Sequence, residues 1–90
     1  MKSTIERIKN MEAVFDFLQK MVVEKSVSVC KEDWFRIHLN NLLYYYENGQ
    51  WLADYQLDEQ GRIPGNLKRG VLSEDGVYNF ITDISEYIDK

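Results

Sequence analysis

The residues best placed to do chemistry are Lys68, Arg69 and Gly70, which stand just before Ser73. Ser73 reads as a helix N-cap, and two cations beside the free N–H groups of a helix start can hold a phosphate or carboxylate. Lys68, Arg69, Gly70 and Ser73 therefore form a candidate anion-binding set, although no glycine-rich strand-to-helix fingerprint accompanies them. The competing role is structural: Lys68 and Arg69 pairing with Asp54, Asp58 and Glu59 to pin a long loop. Those three acids do not match an EF-hand, which needs acids at its first, third and fifth positions before a glycine.

Cys30 and His38 are the only cysteine and the only histidine. A disulfide within the chain and a thiolate–imidazole zinc cluster are thereby excluded, and no metal or cofactor is expected. A Cys–His catalytic pair needs hydrogen-bond contact. Eight residues of helix would hold the two about 12 Å apart, so Cys30 is read as a core filler and His38 as an interfacial side chain. The aromatic residues offer a further possibility. Tyr44, Tyr45 and Tyr46 are consecutive and cannot all face one core from a helix, so Tyr44, Tyr45 and Trp51 are the candidate interaction surface.

These residues must be positioned by elements that can be read from periodicity. Ser3-Thr4-Ile5-Glu6 forms a capping box that predicts a helix start at about Thr4. Ile8, Met11, Phe15, Leu18 and Val22 then recur at three- and four-residue steps, which predicts an amphipathic helix to about Lys25. Ser26-Val27-Ser28-Val29 is read as a helix break, because no second strand-like run exists to pair with it. A second helix over Lys31–Glu47 is predicted from Phe35, Leu39, Leu42 and Tyr46, with Asn48-Gly49 as its stop. Residues 51–71 are read as a loop, with at most one helical turn at 51–55 and turn chemistry at Gly61 and Pro64-Gly65. Ser73 caps the last helix, with Leu72 and Val77 as a hydrophobic staple. Val77, Phe80, Ile81, Ile84, Tyr87 and Ile88 form its core stripe, and Gly76 suggests a close backbone approach.

The expected architecture is an all-α three-helix bundle, a long helical hairpin plus a C-terminal helix, with the loop packed across it. Ninety residues suffice for a single domain over 1–90. An apolar content of 44% is enough to fold it. Eleven basic against fifteen acidic residues give −4, which disfavours polyanionic nucleic acid and anionic membrane surfaces as partners. The opening Met-Lys-Ser-Thr-Ile-Glu is not a signal peptide, and the longest apolar run, Leu42–Tyr46, is too short to span a bilayer. A reducing cytoplasm is the expected setting.

The string Tyr45-Tyr46, Trp51, Asp54, Asp58-Glu59-x-Gly61, Pro64 and above all Leu67-Lys68-Arg69-Gly70-Val71-Leu72-Ser73-Glu74-Asp75 resembles the bacterial family catalogued as domain of unknown function 4298. The opening Ile5-Glu6-Arg7-Ile8-x-x-Met11-Glu12 is similar to its start. The resemblance implies a small helical bacterial protein and carries no activity with it. The family tends to have an acid where this chain has Asn66, so a salt bridge made by that acid does not transfer. Taken together, the expected function is a non-catalytic protein-interaction or regulatory module with a protein partner or a second copy of itself. The alternatives are an anionic-ligand-binding or enzymatic protein using Lys68, Arg69 and Ser73 and, third, a nucleic-acid-associated protein.

Overall fold

The computed structural model describes residues 2–88 and contains four α-helices: α1 (Lys2–Lys25), α2 (Asp33–Glu47), α3 (Gln50–Glu59) and α4 (Gly76–Ile88). Short 3-10 turns at Val27–Lys31 and Gly70–Leu72 complete the backbone framework. The all-α bundle is as expected, and no strand occurs among the described residues. The difference lies at 50–59, where the expected loop folds as α3. The remaining irregular stretch, 60–69, is about half as long.

α1 and α2 run antiparallel, as a short connection requires. Phe17 of α1 meets Trp34 and His38 at the beginning of α2, whereas Arg7 reaches the region of Tyr45 near its end. The connection is a 3-10 turn entered through Ser26, whose φ of 73° and ψ of 172° are unusual for a residue with a side chain. Its hydroxyl accepts from the Ser28 N–H. α1 begins at Lys2, before the expected start at Thr4, so Ser3 sits inside the first turn. First-turn N–H groups lack intrahelical partners in either register, which makes such a shift cheap.

The core is assembled from the stripes that periodicity picks out, except that on α2 Tyr45 rather than Tyr46 is buried, because its hydroxyl reaches Asp54. α1 contributes Ile8, Phe15 and Leu18; α2 contributes Phe35, Leu39, Leu42 and Tyr45; α4 contributes Val77, Phe80 and Ile84. Phe15 and Phe80 meet edge to face at 5.7 Å, which ties α4 to the hairpin. Val29 and Cys30 plug one part of this core, and Ile63, Val71 and Leu72 enter it from the segment after α3. The side chain of Ile88, placed on the α4 stripe by spacing, lies outside the described residues.

The start of α4 follows its local sequence closely. Ser73 is extended (φ −65°, ψ 144°), and its hydroxyl accepts from the Gly76 N–H at 3.1 Å. Leu72 and Val77 are both buried, as a hydrophobic staple requires. Gly76 does permit a close approach: a Cβ there would stand 2.2 Å from the Ser73 hydroxyl and 3.2 Å from the Gly70 carbonyl oxygen.

Candidate functional site

Among the described residues, the charged side chains of Asp54 and Glu12 are buried within this framework. Burying a carboxylate is costly unless other groups replace its hydration, so their surroundings define the polar centre of the molecule. α2 ends at Asn48, and Gly49 at φ 97° turns the chain. The Asn48 amide oxygen accepts from Gln50 N–H at 3.0 Å, and α3 begins there. One turn later α3 delivers Asp54 into the space between α1 and α2, where it has no exposed surface. Arg7 donates to it through Nε (3.0 Å, to Oδ2) and Nη2 (2.5 Å, to Oδ1), and the Tyr45 hydroxyl donates to Oδ2 at 2.7 Å. The bidentate pair holds the Arg7 guanidinium above its ordinary pKa, through the hydrogen bond to Asp54 first. Burial, reinforced by the bond to Asp54, pushes the Tyr45 phenol well above its ordinary 10.0.

Glu12 projects from the next turn of α1 and accepts from the Val71 N–H at 2.7 Å. The Val71 carbonyl accepts from Trp51 Nε1 at 2.8 Å. Both polar groups of this one peptide segment are thus bonded to side chains from other helices. Gly70 stands where a Cβ would lie 3.2 Å from each Glu12 carboxylate oxygen, and this explains a glycine beside Val71. Arg69 donates to Asp58 of α3, and also to the carbonyls of Pro64 (2.5 Å) and Leu67 (3.3 Å). Lys68 pairs with Asp16 of α1 at 2.7 Å on the surface.

The sequence-derived candidates therefore fall into two groups. Lys68, Arg69, Gly70 and Ser73 are brought together, but each is engaged within the fold: two in ion pairs, one against Glu12 and one as a cap. Loop-pinning acts through different partners from those expected. Asp58 does hold Arg69, whereas Asp54 belongs to Arg7 and Lys68 belongs to Asp16. Sequence separations of 47 and 52 residues hide these pairings. Among the aromatic candidates, Tyr44 is 70% exposed. Tyr45 is buried on Asp54 and offers no surface, while Trp51 is half-buried, stacked on Tyr55 at 5.0 Å and 17°, with the Tyr46 ring against the indole at 5.1 Å. Cys30 is buried, and burial pushes its thiol pKa up, away from nucleophile chemistry. His38 packs its ring on the edge of Phe17 at 5.3 Å. No buried side-chain nitrogen or oxygen among the described residues lacks a hydrogen-bond partner. Nor do three or more His, Cys, Asp or Glu residues converge as a metal site among them.

The bonds of Arg7 to Asp54, Glu12 to Val71 and Asp16 to Lys68, with that of Arg69 to Asp58, form a polar latch whose α1 members are not among the sequence-derived candidates. Glu12 did carry a signal: it stands four residues after Ile8 and three before Phe15, on the apolar stripe of α1.

The profile of the family described as Domain of unknown function (DUF4298) matches residues 8–90. The chain belongs to this family. No curated protein and no solved structure shows significant similarity to it. The DUF4298 match takes in Glu12, Asp16, Asp54, Asp58 and the whole of 67–75, so nearly all of the latch lies within the family's span. Within the nine-residue block that carried the resemblance, Leu67 to Ser73 are engaged by bonds and packing within the fold.

Proposed function

We propose that this DUF4298 protein is a non-catalytic protein-interaction module of the bacterial cytoplasm. One observation carries the reading: the face shared by α1 and α2 leaves large apolar side chains uncovered side by side. Phe17 and Trp34 are 38% and 37% exposed and meet at 5.8 Å, and Ile37 is 61% exposed on the next position of the same α2 face. Ala13, Val14, Phe17 and His38 line a shallow groove of about 270 Å³ between the two helices. Aromatic and branched aliphatic side chains presented together on rigid helices are what interface hot spots are made of. The engagement of Lys68 and Arg69 with Asp16 and Asp58 also favours this reading over an anionic ligand at the Ser73 helix end.

The test is a photo-crosslinking residue placed at Ile37 in the native host, combined with light scattering over a concentration series. Crosslinks to a partner or to a second copy, lost in Trp34→Ala, are expected. A strict monomer that crosslinks to nothing, together with a phosphate-dependent thermal shift abolished by Lys68→Ala or Arg69→Ala, would overturn the proposal.

A further inference from the structure

A second surface, sharing no residue with the α1–α2 groove, has a different chemistry. Trp51 and Tyr55 are one helical turn apart on α3 and stack nearly parallel, and Tyr46 of α2 closes on the indole at 61°. All three rings are half-buried, so each keeps surface in water. The indole is fixed in place because its Nε1–H is bonded to the Val71 carbonyl. Glu59, one turn further along α3, is the hydrogen-bond partner of the Tyr55 phenol, and the charges of Glu74 and Asp75, just before α4, act on it more weakly. The bond to Glu59 first, then desolvation, then these charges raise the phenol to about 12. Arg69 directs its guanidinium to Asp58 and to the carbonyls of Pro64 and Leu67.

Helix initiation accounts for Glu74 and Asp75, and helical spacing accounts for Glu59. Neither explains why three rings gather, partly in water, beside Glu59 and within the field of Glu74 and Asp75. A π face bordered by carboxylates attracts a cation by ring quadrupole and by charge together. The excess of acids over bases in the whole chain adds long-range attraction for a basic partner. A pre-positioned indole also reduces the ordering cost of binding. We propose that the Trp51–Tyr55 stack, with Glu59 one turn along the same helix, docks an arginine or lysine side chain of a basic segment in a protein partner.

The experiment uses a hexa-arginine peptide as probe and the full chain carrying Trp34→Phe, so that Trp51 is the sole indole. Titration at low salt is expected to change Trp51 emission saturably, with affinity falling as salt rises. Tyr55→Leu keeps the chain's charge and should weaken binding about tenfold. Glu59→Gln should also weaken it, whereas Glu24→Gln, an equal charge change at an exposed site on α1, should cost less than about twofold. Far-UV circular dichroism verifies that each variant is helical, and the two glutamate substitutions read the site without altering packing. Equal affinity in Tyr55→Leu and its parent, equal losses in Glu59→Gln and Glu24→Gln, or no binding at low salt would each overturn the proposal. Ile37→Glu should leave hexa-arginine binding intact, so failure here and failure of the α1–α2 interface are separately visible.

Discussion

Replacing Asp54 by Asn tests the account of the polar latch most directly. The substitution preserves shape and removes only the charge, at a site with no exposed surface. Arg7 loses a bidentate carboxylate, while the Tyr45 hydroxyl can keep an amide oxygen as acceptor. Breaking a fully buried ion pair costs about 3–5 kcal/mol. The Arg7 side chain is 30% exposed, so water recovers part of its solvation, and the expected loss is about 2–3 kcal/mol. Against a total stability of roughly 5–15 kcal/mol this is severe. With a urea m-value near 1 kcal/mol/M for a domain of this size, the unfolding midpoint should fall by about 2–3 M. The assay is urea unfolding followed by circular dichroism, run as a double-mutant cycle with Arg7→Met. Coupling above about 1 kcal/mol between the two sites is expected. If Asp54→Asn unfolds within about 0.5 kcal/mol of the parent, the latch contributes little and the reasoning is refuted.

Gly70→Ala places a methyl 3.2 Å from both oxygens of Glu12, a carboxylate that cannot yield without releasing Val71. A loss of about 1–3 kcal/mol is expected by the same unfolding assay. Arg69→Ala removes contacts to Asp58, Pro64 and Leu67 and should lower the melting temperature by several degrees, whereas Lys68→Ala, at an exposed pair, should leave it unchanged in calorimetry. The Tyr45 phenol is neutral in the fold and held there by burial. Its contribution to stability is therefore complete below the unfolded value of 10.0 and is withdrawn as pH rises above it. Absorbance at 295 nm should show a tyrosine that ionises late, together with unfolding, and Tyr45→Phe should remove that step.

The legible parts of the fold were those set by neighbours in sequence. The Ser73 cap, the Leu72–Val77 staple and the stripes of α1, α2 and α4 depend on residues within two turns of one another, and spacing alone reveals them. α3 was not legible for a physical reason. Its inward position is Asp54, which reads as a surface residue until Arg7 and Tyr45 are placed beside it. The glycine and proline signals downstream then extended the apparent loop back to Trp51. The candidate site was half legible. Lys68, Arg69, Gly70 and Ser73 do cluster, but their partners on α1 lie more than fifty residues away, and only folding discloses that Lys68 faces Asp16 and Gly70 faces Glu12.

The latch also imposes an order of events on the folding chain. The apolar seam between α1 and α2 joins neighbouring helices, so it can close early and at small entropic cost. Glu12 meets Val71 across 59 residues and Arg7 meets Asp54 across 47. Neither bond can form until the chain has turned at Gly49 and come back again over α1. Bonds across such separations are expected to form late, so weakening them should shorten the lifetime of the native state while leaving the rate of folding almost unchanged, which stopped-flow unfolding and refolding of Glu12→Gln would check. Bonds made across the longest stretches of chain are thus the ones that set how long the molecule stays closed.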